Sequence, residues 1–349
     1  MIMPLTISTL RKCRGSSARL SLFAALVTGF ISIGFVSTAL ADPPADVQPA
    51  SLTQPLTQSA LGDLGGGKGL SGVDRTIASH SVPFAQLPTR VGDRVGQEVQ
   101  VELNLHATII QSGQVANQSR QVIHRRQDRG IEVLEVARGR VHRAHVTYLT
   151  CRQLRREAPP DQDPTEDQAI SQPIEGKSYF VTRQGKQLLV TDQDGNIPPW
   201  DEYQIVAENM QTLGQPNPLA QFLLGRTFRT GERIVLPQSL AEQLLGLNEP
   251  FGKVQSFELE FMGSDTIAGQ PCALFNATIA AQAREQGEIG LNITGRLVIQ
   301  TATCRTVTAE LAGPVQMAAE EKTRHGSFQY RATGDMHLSI HSTYASGAP

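Results

Sequence analysis

Apolar and polar positions alternate with a period of two along much of the chain. Val99, Val101, Leu103, Leu105, Ala107 and Ile109 alternate with mostly polar neighbours, which predicts an antiparallel strand with one buried face. Ser119–Ile123 and Ile131–Val136 read as weaker strands, and Val141–Arg152 as another. Tyr179–Val181 and Leu188–Val190 flank a turn centred on Gly185, the pattern of a hairpin. The C-terminal third is the most regular. Apolar residues alternate at Phe257–Phe261, Ala273–Ile279, Ile289–Ile299, Val307–Met317 and Phe328–Ile340. Short turn sequences separate these stretches, so they predict an antiparallel meander.

The alternation breaks between residues 201 and 245. Pro198 and Pro199 precede one helical pattern and Gly214 follows it. Asn217, Pro218 and Gly225 punctuate a second, and Pro237 and Gly246 a third. Proline at the start and glycine past the end predict helices over 201–213, 218–224 and 237–245. The fold class is therefore mainly β, a β-rich α+β domain. Its long strands exceed the usual length of about 5–6 residues, which requires twist and curvature. The expectation is a curved antiparallel sheet or half-open barrel with short helices inserted at 201–245 and resting on its concave face. The domain spans 92–349, with possible halves at 92–200 and 226–345.

The N-terminus changes the picture of where the chain acts. Arg11, Lys12, Arg14 and Arg19 precede an uncharged run from Leu20 to Ala41, and Ala39-Leu40-Ala41 places small residues before Asp42. These are the parts of a secretory signal peptide, with cleavage expected after Ala41. The same run is also long enough to anchor the chain in a bilayer; the Ala-x-Ala site favours cleavage. No second long apolar segment follows, so no integral span is expected after cleavage, and the expected location is secreted or periplasmic. Residues 42–91 are rich in Pro, Gly, Ser, Gln and Ala without a sustained period, which predicts a disordered linker. Removing residues 1–41 leaves 27 basic against 33 acidic residues, a formal −6. That balance argues against nucleic acid as a partner.

Little in the chain points to a reaction. Gly62–Leu70 approaches a phosphate-binding loop, but Gly69 stands where a hydroxyl is required, with no strand before it or helix after it. No catalytic, cofactor-binding or metal-ligating set emerges, and no cofactor is implied. His142 and His145 point to opposite faces of a strand. Asp192, Asp194 and Asn196 fit a turn better than a calcium loop. Cys272 and Cys304 are candidates for a disulfide in an oxidising compartment, the alternative being buried free thiols. The stretch 137–156 holds six arginines and no acid. Arg140, Arg143, Arg152, Arg155 and Arg156 are candidate contacts for an anion, against the plainer reading of solvated strand ends.

The blocks around Gly130–Val141, Gly225–Pro237 and Phe257–Val315 resemble a group of secreted bacterial β-rich proteins, many of unassigned function. More distantly, the pattern is similar to periplasmic lipoprotein-carrier half-barrels, in which a curved sheet cups an apolar cavity under short helices. The resemblance implies a non-enzymatic envelope protein that binds a lipid, another apolar ligand or a partner protein. A structural or assembly protein of the envelope, or an enzyme with an unrecognised site, are the alternatives. It transfers no catalytic residue.

Overall fold

The computed structural model describes residues 82–163, 168–245, 253–282, 289–323 and 326–347. The expected signal peptide and residues 42–81 of the expected linker lie outside them.

The strands are β1 (Val82–Pro83), β2 (Arg94–Gln111), β3 (Gln114–Ala137), β4 (Arg140–Ala158), β5 (Gln168–Ser171), β6 (Ser178–Gln184), β7 (Gln187–Thr191), β8 (Thr227–Phe228), β9 (Arg233–Val235), β10 (Lys253–Ile267), β11 (Gln270–Gln282), β12 (Ile289–Gln300), β13 (Arg305–Thr323) and β14 (Gly326–Ala345). Among the described residues, 12 strands form one antiparallel sheet in the order β7-β6-β4-β3-β2-β14-β13-β12-β11-β10-β9, with β5 beside β6 on the free edge of β4. The sheet is curved and does not close into a barrel. Pairing of β2 with β14 along their lengths joins the N- and C-terminal strands into one surface.

Two-residue turns fix the register of three hairpins. Ser112-Gly113, Arg138-Gly139 and Ala268-Gly269 each place both residues at positive φ. That is the geometry whose twist matches the flanking strands, and the glycine supplies its second position without strain. β3 departs from expectation. Ser119–Ile123 and Ile131–Val136 are not separate strands but parts of one, which runs unbroken through His124–Gly130. The alternation there is hidden because polar side chains occupy positions on the buried face.

Three helices cover the inner face: α1 (Trp200–Asn209), α2 (Pro218–Leu223) and α3 (Gln238–Leu245). Asn217 caps α2 as expected, its Oδ1 accepting from the Leu219 N–H at 3.0 Å. Its Nδ2 donates to the Cys304 carbonyl at 2.8 Å, fixing the helix to the sheet. α1 ends short of the expected residue 213. Arg129 donates to the carbonyl of Asn209, and Arg183 to those of Gln211 and Leu213. These guanidinium groups satisfy carbonyls that further helix would have used.

Under α2 and α3 lies the larger core, where Leu219, Leu223, Ala241 and Leu244 meet Leu259, Ile293, Leu311 and Leu338. At its centre Phe275 packs against Phe261 at 5.5 Å, Phe228 at 6.0 Å and Phe84 at 6.3 Å between ring centroids. Under α1 a second core joins Val206, Met210 and Leu213 to Val133, Val146, Val181 and Val190. Phe84 corrects the linker boundary. Residues 82–91 are docked rather than free, with β1 paired to β8 and the N–H groups of Ala85 and Leu87 bonded to Thr301 and Ala302. The burial of Phe84 offsets the entropy of ordering this segment.

Candidate functional site

The inner side of β3 carries Ser119, Gln121, Ile123, Arg125, Gln127, Arg129, Ile131 and Val133, all buried. Parity alone puts the two arginines among apolar neighbours. Register then sets Arg129 between Gln97 on β2 and Tyr148 on β4, Gln127 between Val99 and Cys151, and Arg125 between Val101 and Gln153. A polar row therefore runs between the two apolar cores. A bulge at the exposed Leu149 keeps Tyr148 and Cys151 both on this side.

The two buried cations are held differently. Arg129, 2% exposed, donates Nη1 to the Asn209 carbonyl at 2.8 Å and Nε to Gln97 Oε1 at 3.0 Å. Asn209 closes α1, so this charge lies at the negative end of a helix dipole. Arg125, 4% exposed, reaches two amide oxygens at the limit of hydrogen bonding and lies against the Cys151 thiol. Its Nη2 stands 3.3 Å from Gln127 Oε1 and 3.5 Å from Gln172 Oε1. Its Nε and the neighbouring Gln127 Nε2 have no hydrogen-bond partner. Among the described residues no carboxylate forms an ion pair with Arg125, and Glu208 on α1 acts on it only at longer range. Burial pushes the Arg125 guanidinium below its usual value, yet a guanidinium stays charged in a protein. Such a charge is costly unless something matches it.

Of the arginines singled out in the sequence, Arg155 alone joins this row, half-buried on the inner side with Nη2 donating to Glu157 at 2.9 Å. Its Nε is also without a partner. Arg140 is exposed at the β3–β4 turn, and the exposed Arg143 lies 4.9 Å over the Phe180 ring. Arg152 pairs with Glu175 at 2.6 Å, and Arg156 alternates to the face opposite Arg155. The five are thus not one cluster. Arg125, Gln127 and Arg129 were missed, although their spacing from Ile123, Ile131 and Val133 is the signal that marks them.

A second polar group sits at the start of α1. Glu202 accepts from Tyr179 Oη at 2.6 Å and Lys177 Nζ at 2.7 Å. Its charge is matched, so it anchors the helix. Asp192 Oδ1 accepts from the N–H groups of Asp194 and Asn196 at 3.0 and 2.8 Å, so the calcium-like sequence forms a turn.

The disulfide considered for Cys272 and Cys304 is not formed. Both are free, as is Cys151, and the two lie in separate apolar clusters. The Cys304 thiol instead donates to the Ala85 carbonyl at 3.3 Å. Burial pushes Cys151 up to about 11 and Cys304 up to about 12, from an ordinary 9.0. The fold holds these thiols neutral, so the unfolded chain releases their protons first as pH rises. The stability they contribute is full below pH 9.0 and is lost as pH climbs toward 11 and 12. Urea titrations at pH 8 and near pH 10.5 should therefore give a lower unfolding free energy at the higher pH; equal values would show that the thiols are not so held.

No protein-family model and no curated protein matches the chain. Solved structures with similar sheets include lipovitellin, described for its lipid–protein interactions, at a TM-score of 0.37 and 7% identity over 74% of this chain. The chain spans 26% of the lipovitellin chain. A DUF1329 family protein from Desulfovibrio piger matches at a TM-score of 0.19 and 9% identity, over 73% of this chain and 86% of its own. A domain assigned to outer-membrane lipoprotein sorting, from Vibrio parahaemolyticus, matches at 0.15 and 8%, over 74% and 87%. With every one of these TM-scores below 0.5, function has to be argued from the chain's own geometry.

Proposed function

We propose that this chain is a non-enzymatic binding protein of the cell envelope that holds an amphipathic molecule on the inner face of its curved sheet. The observation that carries this reading is the change of chemistry across that face. A wholly apolar core under α2 and α3 gives way at β3 to a buried row of amides and cations, one of them unmatched. A purely structural sheet gains nothing from an unmatched buried guanidinium. Polar groups left unsatisfied beside an apolar interior are instead a common mark of a binding site. The leader-like residues 1–41 agree with an envelope location.

The test is solvent extraction of the chain purified without detergent, with mass spectrometry of the extract. An amphipathic compound recovered in about equimolar amount supports binding. A clean extract, together with self-assembly that grows with protein concentration, would favour a structural role instead.

A further inference from the structure

We infer that the polar end of the bound molecule is an oxyanion, a carboxylate or a phosphate monoester, received by Arg125 and Gln127 with Arg155 at the approach. This deepens the binding reading above and rests on it. Arg125 Nε, Gln127 Nε2 and Arg155 Nε are unpartnered donors on neighbouring strands of one face. Arg155 stands opposite Ile123, which makes it the diagonal neighbour of Arg125, at about 7–8 Å between backbones. Guanidinium groups at that spacing can close on one small anion from two sides.

The row is also graded in exposure. Gln127 is 1% exposed, Arg125 4%, Gln121 5% and Ser119 8%, and alongside them on β4 Arg155 is half-buried opposite Ile123 and Glu157 exposed opposite Gln121. A headgroup entering from the side of the β2–β3 turn thus meets partly wet donors first and dry ones last, where charge-assisted bonds are strongest. Glu157 does not fill this position. It accepts from Arg155 and from Gln121 Nε2, and its partner position is Gln121, four residues along β3 from Arg125, about 13 Å away. Glu208, the carboxylate that acts on Arg125 at longer range, accepts from Gln204 on its own helix. A neutral headgroup would leave the Arg125 charge unmatched; an oxyanion supplies the missing acceptor and the missing charge together.

The test uses dodecanoate, dodecyl phosphate and dodecanol, each below its aggregation threshold, titrated calorimetrically into the full chain and into Arg125→Met and Arg125→Lys variants. One or both anions should bind the wild type at least about tenfold tighter than the alcohol, and the stronger of the two identifies the headgroup. Arg125→Met should lose that preference, binding the anions no tighter than it binds dodecanol, and Arg125→Lys should keep part of it. Circular dichroism confirms that each variant is folded; if Met disrupts the fold, the Lys variant carries the comparison, and an undiminished anion preference there counts against the inference. Equal binding of anion and alcohol by the wild type, or an anion preference that survives in Arg125→Met, would overturn the inference and leave the binding reading standing. A wild type that binds none of the three, the alcohol included, removes the binding reading and this inference with it.

Discussion

Arg125→Met should make the ligand-free protein more stable. Arg125 is buried, makes two long hydrogen bonds to amide oxygens beside its contact with the neutral Cys151 thiol, and has no ion pair among the described residues, so the fold bears the desolvation of its charge with little return. Methionine is of similar length, fits the apolar surroundings of Val101 and Ile123, and removes that cost. Replacing buried charged groups by apolar ones of similar volume commonly stabilises by about 1–4 kcal/mol. Arg129→Met, four residues along the same strand, should act in the opposite direction. It strips the donor from the Asn209 carbonyl and from Gln97, a loss of about 1–3 kcal/mol for buried groups left unsatisfied. Urea unfolding of both variants after refolding from guanidinium checks the pair. Two destabilised variants would mean that Arg125 serves the fold as Arg129 does.

Phe275→Ala should have the largest effect on stability of any change considered. The ring is 1% exposed and is shared by Phe84, Phe228 and Phe261. Truncation leaves a cavity that three rings from different segments cannot all fill, at a cost of about 3–5 kcal/mol. The loss should extend to residues 82–91, whose anchor Phe84 packs on this ring. Hydrogen exchange should show the Ala85 and Leu87 amides, bonded to Thr301 and Ala302, losing protection along with the core. A loss under 1 kcal/mol would contradict the placement of these rings at the centre of the domain.

How far the sequence discloses this architecture differs from element to element. Along β10–β14 the buried positions are mostly apolar, with Gln300, Arg305, Thr306 and Ser342 confined to strand ends, so the period of two is plain and the strands emerge where expected. The helices are legible from their punctuation, since proline and glycine act locally; Asn217 performs the capping that its position implies. β3 was split because hydrophobicity is only a proxy for burial. Arg125, Gln127 and Arg129 occupy inward positions that an apolar pattern cannot reveal. The missed part of the strand and the residues of the proposed site are the same. The arginines chosen in their place lie in a run conspicuous for charge, whereas β-sheet parity scatters consecutive residues over two faces. The proposed disulfide failed for a related reason. Register between strands is set by turns and bulges rather than by the spacing of cysteines, and it leaves Cys272 and Cys304 in different clusters.

The most direct test of the central claim is native mass spectrometry of the full chain and of Arg125→Met, expressed and purified in parallel without detergent. The wild type should carry a stoichiometric adduct whose extract is an acidic amphiphile, and Arg125→Met should appear at its bare mass. The same adduct on both proteins, or none on either, would contradict the account.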